Sequence, residues 1–99
     1  EGALGLILYC AKLFDDSRTA PDAATRAEAA SLMEMLTPIA KSWPSQWCLE
    51  ANALAIQVHG GYGYVSDFPV ERIYRDVRVC QIYEGTSDVQ KILIGRALA

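Results

Sequence analysis

The stretch QVHGGYGYVSDFPVERIYRDVRVCQIYEGTSDVQKILIGR, residues 57–96, sets a glycine-rich segment, a short charged helix and a Glu-Gly-Thr turn in fixed order. Gln57, Gly60, Gly61 and Gly63 close a helical pattern, where missing side chains let backbone come close to a flat or phosphorylated ligand. A helix ended by Gly-Gly is equally a plain C-cap. Glu84 stands between Tyr83 and Gly85 on a turn that opens the last helix. A carboxylate flanked by an aromatic ring and a bare backbone can be desolvated, which raises its pKa and suits it to accept a proton. The bland alternative is a surface Glu favoured by the dipole of the helix it precedes.

Around this stretch the pattern is helical throughout. Leu4, Ile7, Leu8, Ala11 and Phe14 recur on one face, and Asp15-Asp16-Ser17 ends the run, which predicts a helix over 2–16. After a linker with Thr19 and Pro21, the residues Ala29, Leu32, Met33, Leu36, Ile39 and Ala40 predict a second helix over 22–41, kinked or shortened at Pro38. Trp43-Pro44-Ser45 is expected to break the chain, with a third helix from Pro44 or Ser45 to about Val58 that Gly60-Gly61 stops. A fourth helix is expected from Pro69 to Val77 with Asp67 as its cap, and a last one from Thr86 or Ser87 through Val89, Ile92, Leu93 and Leu98. No strand-like alternation or internal repeat competes, so the expected fold is an all-α antiparallel helix bundle.

Composition narrows the function classes. The chain has 99 residues and is 52% hydrophobic, enough for one domain, which at this size hides roughly 65% of its unfolded surface. Net charge is −3 and no basic run occurs, which argues against nucleic acid as a partner. The longest apolar run, Ala3 to Ala11, is too short to span a bilayer. Cys10, Cys48 and Cys80 form no CxxC pair and have only His59 as a conceivable co-ligand, so no metal site is expected. They read as buried, reduced core thiols and point to a cytoplasmic setting.

Three motifs, QVHGGYGY (57–64), PVERIYRD (69–76) and IYEGTSDVQ (82–90), together resemble the C-terminal helical domain of the acyl-CoA dehydrogenase flavoprotein family. The likeness runs along nearly the whole chain; in residues 1–56 it rests on the helical pattern and on SWPSQWCLEANALA (42–55), which looks like the larger, bacterial branch. The resemblance implies that residues 1–99 are one domain of a larger α/β/α enzyme, an expectation to which the abrupt start at Glu1-Gly2 also leads. It further implies an FAD-dependent oxidoreductase that converts an acyl-CoA thioester to the 2,3-enoyl-CoA. An electron acceptor such as an electron-transfer flavoprotein and a homo-oligomer, dimer or tetramer, belong to the same expectation, with a place in fatty acid metabolism.

Residue by residue, the resemblance makes Glu84 the base that removes the α-proton while a hydride leaves the β-carbon for the flavin. Some branches of the family carry the base on another helix and a small residue here; this sequence keeps Glu. Gly85 would admit the thioester carbonyl to backbone donors, and Tyr83 either lines the acyl pocket or is ordinary core. Thr86, Ser87 and Asp88 match flavin-contacting positions at a helix start, although Asp88 stands where one common pattern has Gln. Gln57, Val58, His59, Gly60 and Gly61 match the segment that contacts the adenosine diphosphate part of FAD bound mainly by a neighbouring subunit. His59 reads as a spacer or hydrogen-bonding residue, Arg72, Arg75 and Asp76 as a structural ion-pair group, and Trp43 and Trp47 as a packing pair. Two readings compete with the dehydrogenase: an acyl-CoA oxidase, and a non-catalytic helical oligomerisation module of the same fold, which Gly or Ala at position 84 would have favoured.

Overall fold

The computed structural model describes residues 1–99 and is all-α, with helices α1 (Gly2–Thr19), α2 (Ala23–His59), α3 (Gly61–Tyr64), α4 (Val70–Arg78) and α5 (Ser87–Leu98), and a 3-10 turn at Val79–Gln81 after α4. It divides into two compact units, Glu1–Lys41 with Asp88–Ala99, and Ser42–Ser87. No helix is long and apolar enough to cross a membrane.

In the first unit, α1 extends three residues beyond the expected end at 16. The polar residues that were expected to stop it instead bond back onto it. Ser17 Oγ donates to the Phe14 carbonyl at 2.8 Å and Thr19 Oγ1 to that of Asp15 at 2.8 Å, Lys12 pairs with Asp16, and the Arg18 guanidinium lies 4.0 Å from the Phe14 ring centroid. Asp22 then opens α2: its carboxylate accepts the Thr25 N–H at 2.7 Å and the Thr25 hydroxyl at 2.6 Å, satisfying a donor that a helix start leaves orphaned. The chain reverses over Ala20–Asp22, so Tyr9, Lys12, Leu13 and Asp16 meet Thr25, Glu28, Ala29 and Leu32 in opposite order around a small groove. Leu13 and Ala29 are the buried apolar residues of this antiparallel pair.

The apolar stripe of α1 is not in a core. Leu4 and Leu8 are each 60% exposed, and Ile7 and Phe14 are exposed as well. On α5, Val89, Ile92, Leu93 and Leu98 are likewise exposed, whereas Gln90 is buried. Periodicity identified one face of each helix correctly as apolar, but within this chain those faces have no cover.

The expected break at Trp43-Pro44-Ser45 does not occur either: α2 runs unbroken from Ala23 to His59 through Pro38 and Pro44. Each proline removes one helical N–H and costs about 3 kcal/mol in a helix interior, but its fixed φ is itself helical, so the damage stays local. Hydroxyls next to both prolines bind back onto the preceding turn, Thr37 Oγ1 to the Met33 carbonyl at 2.7 Å and Ser45 Oγ to that of Ser42 at 2.9 Å. Trp43 and Trp47 are both exposed and do not form a ring pair; the ring contact in the structure is Tyr62 with Phe68.

In the second unit, Gly60 ends α2 with φ +58°, as expected of a glycine at that point. A four-residue helix, α3, follows that the pattern did not suggest. Helix α4 begins after Pro69, whose φ of −75° and ψ of −11° already lie in the helical region, and no side chain caps it. Asp67 is therefore not a cap. It lies in the Val65–Phe68 turn, closed by the Phe68 N–H on the Val65 carbonyl at 3.3 Å. The cysteines are free thiols, but Cys48 is exposed and Cys10 and Cys80 are only half-buried, so they are not core residues as expected.

Candidate functional site

The 3-10 turn at Val79–Gln81 delivers the chain from α4 to Glu84. The Val79 carbonyl accepts two N–H groups, from Ile82 at 2.9 Å and from Tyr83 at 3.2 Å, while Arg78 Nη1 donates to Gln81 Oε1 at 3.0 Å. Glu84 then takes φ +55° and Gly85 φ +90°, and no other non-glycine residue in the chain has a positive φ. For an L-residue this conformation costs about 1–2 kcal/mol, and such strain concentrates where a structure needs a side chain aimed in one direction. Gly85 escapes the cost because it has no Cβ.

Helix α5 starts at Ser87, the second of the two expected starts. The Ser87 hydroxyl accepts from Gln46 Nε2 on α2 at 3.3 Å. Asp88 falls in the first turn of α5, where its charge favours the helix dipole, and it takes Lys91 Nζ at 3.4 Å. Tyr83 and Glu84 thus lie in the turn, and Gly85 and Thr86 lead from it into α5 at Ser87.

Glu84 is exposed in this chain. Tyr83 is half exposed, with its phenol 3.4 Å from Cys80 Sγ. That contact, the Cys80 charge, some burial and the charge of Glu84 together hold the phenol above its ordinary range.

The second predicted cluster is the glycine segment. Gln57, Val58, His59, Gly60 and Gly61 are all exposed. The Gly60 N–H turns back to the Gln57 carbonyl at 3.2 Å, and a Cβ added at Gly60 or Gly61 would meet nothing within 4 Å. Bare backbone therefore faces open space here. His59 Nδ1 lies 2.8 Å from the Ala55 carbonyl, which can only accept, so Nδ1 donates this bond. Gly63 is different: it is buried against Ile56 and is a packing glycine, not part of a ligand-facing surface. Beside the segment, Gly61, Tyr62, Val65, Asp67 and Phe68 line an open cavity of about 590 Å³ in which the Tyr62 and Phe68 rings stand 5.2 Å apart at 55°.

The expected ion-pair group is drawn differently. Arg75 pairs with Glu71, at 2.9 Å through Nε and 3.2 Å through Nη2, one turn back on the same helix, and Asp76 acts on it only as a nearby charge. Sequence reasoning also missed Cys80, Gln81 and Gln46. The three-residue spacings Cys80 to Tyr83 and Arg78 to Gln81 are those of neighbours on a helical turn and could have flagged the first two. Gln46 and Ser87 are 41 residues apart, and no local signal connects them. No group of His, Cys, Asp and Glu is arranged to hold a metal ion.

Comparison with known proteins bears on the same residues. The sequence pattern of the family described as acyl-CoA dehydrogenase, C-terminal domain, matches residues 17–99. Among curated proteins, the caffeyl-CoA reductase-Etf complex subunit CarC of Acetobacterium woodii is 41% identical over 98 residues, covering 99% of this chain and 22% of that protein. The 3-methylmercaptopropionyl-CoA dehydrogenase of Ruegeria pomeroyi is 37% identical over 97 residues, 97% of this chain and 16% of that protein. The cyclohexane-1-carbonyl-CoA dehydrogenase of Geobacter metallireducens is 35% identical over 98 residues, 99% of this chain and 22% of that protein. The chain therefore spans about a fifth of the length of these relatives.

Proposed function

Since this chain belongs to the acyl-CoA dehydrogenase C-terminal domain family, we propose that it contributes the base, Glu84, and part of the FAD site of a longer polypeptide that oxidises an acyl-CoA thioester to the 2,3-enoyl-CoA. The observation that carries this reading is the left-handed backbone at Glu84, with φ +55° before a glycine at φ +90°. A surface glutamate of no consequence would relax out of that conformation or be replaced by glycine.

In this reading the Glu84 carboxylate accepts the α-proton, and the electron pair left behind forms the double bond as a hydride departs from the β-carbon. FAD, when bound, supplies the acceptor for that hydride. Gly85 lets the thioester carbonyl reach backbone donors, which stabilise the enolate-like charge that develops on its oxygen. Tyr83 flanks the acyl group. The glycine segment fits the diphosphate part of FAD because Gly60 and Gly61 turn bare backbone to open space, and Gln57, Val58 and His59 border it. Thr86, Ser87 and Asp88 offer the start of α5 to polar flavin atoms. Glu84 is exposed in residues 1–99, so the partly dry pocket that tunes a carboxylate to this task is completed by other segments or subunits. The free thiols accord with a cytoplasmic enzyme.

The relative from Acetobacterium woodii is named as a reductase subunit of an Etf complex, which favours a second reading in the same site. The reaction would run toward the saturated thioester, with Glu84 returning a proton to the α-carbon and an electron-transfer flavoprotein exchanging electrons with FAD. Both directions place the same proton on the same carboxylate.

The test is Glu84→Gln in the complete polypeptide. The amide fills the same space without accepting the proton, so substrate-dependent flavin reduction is expected to fall by about 10² or more while FAD remains bound. Reduction at the parent rate would remove Glu84 from the mechanism and put the base on another helix, as in some branches of the family.

A further inference from the structure

The turn that carries Glu84 is held by a side-chain contact that the proposed chemistry does not use. Cys80 Sγ lies 3.4 Å from the Tyr83 hydroxyl across the turn whose Val79 carbonyl already accepts from both Ile82 and Tyr83. Tyr83 immediately precedes Glu84, so its backbone sets the direction in which the left-handed residue leaves the turn. Tyr83 is 52% exposed.

We propose that Cys80 is a positioning residue: its thiol holds the Tyr83 phenol against the 3-10 turn and so keeps the Tyr83–Glu84 peptide in the orientation that aims the Glu84 carboxylate. This rests on Glu84 being the base. Without the thiol, the phenol swings free, the preceding peptide gains room to rotate, and the carboxylate samples directions from which it does not reach the α-proton. A misdirected base lowers turnover without weakening substrate binding.

The experiment compares Cys80→Ala, Tyr83→Phe and the double variant in the complete polypeptide. Tyr83→Phe keeps the ring and removes the hydroxyl. Each single change is expected to lower kcat about threefold to tenfold, the scale of one net hydrogen bond, with KM for the thioester held within about twofold. The double variant is expected to be no slower than the slower single one, because both remove the same contact. Losses that multiply in the double variant, or parent-like kcat in Cys80→Ala, would overturn the proposal.

A second readout needs no turnover. Iodoacetamide alkylation of Cys80, followed by mass spectrometry of its peptide, should be faster by about threefold or more in Tyr83→Phe, since the phenol no longer occupies the sulfur. An unchanged rate also overturns the proposal. Because this rate is measured without substrate, loss of the Cys80–Tyr83 contact is distinguishable from failure of Glu84 as the base, which only Glu84→Gln reports.

Discussion

Gly63 packs so closely on Ile56 that a Cβ at position 63 would stand 2.5 Å from the Ile56 carbonyl oxygen and 2.8 Å from its Cα. The atoms in the way are backbone of α2 and cannot swing aside. Gly63→Ala therefore has to push α3 off α2, an overpacking cost of about 1–3 kcal/mol. Thermal unfolding should register it as a midpoint lowered by about 4–8 °C per kcal/mol for a domain of this size. Gly61→Ala, where a Cβ meets open space, serves as the control and should melt close to the parent. Equal midpoints for the two variants would mean that the α2–α3 contact is looser than described.

That pair also shows what a sequence can and cannot reveal. The stop at Gly60 was legible in the glycine cluster, because φ > 0 is a local requirement there. Which glycine packs and which faces open space was not legible, since that depends on where Ile56 stands. The continuity of α2 through Pro44 was missed for a related reason: the proline signal is local, whereas the helix is maintained by good helix formers on both sides and by hydroxyls that bond one turn back. The stripes on α1 and α5 were read correctly as apolar, but periodicity does not say whether the cover lies within these residues. At Glu84 the motif did not reveal the φ of +55°, because nothing in the letters IYEG distinguishes an extended Glu from a left-handed one.

The strained backbone at Glu84 separates stability from function. Replacement by glycine releases about 1–2 kcal/mol of left-handed strain and gives back about 0.5–1 kcal/mol in unfolded-chain entropy. Glu84→Gly is thus expected to match or exceed the parent in thermal stability, by up to about 1.5 kcal/mol, while removing the carboxylate proposed as the base. Glu84→Gln keeps the strain and should melt with the parent. A Gly variant that melts clearly lower would indicate that contacts of the Glu84 side chain outweigh the conformational cost.

Asp22 gives the start of α2 a pH dependence. The Thr25 hydroxyl and then the Thr25 N–H hold its carboxylate below the usual carboxylate range. A pKa depressed on folding means that the native state binds the proton less well than the unfolded chain. The stabilisation is therefore fully present above the unfolded pKa and is lost as pH falls through the lower, folded one. Asp22→Asn, which still accepts the Thr25 N–H but does not titrate, should flatten the acid limb of the stability curve. Asp22→Ala should lower stability at neutral pH as well, by removing the cap. Urea unfolding of the three proteins across the acidic range is the measurement, and identical acid limbs would show that Asp22 is not among the groups that set them.

The apolar faces left bare on α1 and α5 make a prediction about association. Leu4, Ile7 and Leu8 on α1 and Val89, Ile92, Leu93 and Leu98 on α5 are all more than 40% exposed, and each set recurs at helical spacing. Contiguous apolar surface of this kind is uncommon on a monomer and draws a second apolar surface onto it. In the complete polypeptide other segments or neighbouring subunits can supply that surface; for residues 1–99 alone, the available partner is another copy. The isolated chain should therefore self-associate, with a two-fold pairing favoured because it buries one stripe against its own equivalent. Sedimentation equilibrium over the micromolar range should show a mass above that of the 10.9 kDa monomer. Leu4→Lys with Leu8→Lys should shift the equilibrium toward monomer, since two charges on the stripe would have to be desolvated on pairing. A parent chain that stays strictly monomeric would mean that these stripes do not form a continuous adhesive face, and would leave the assignment of Glu84 untouched.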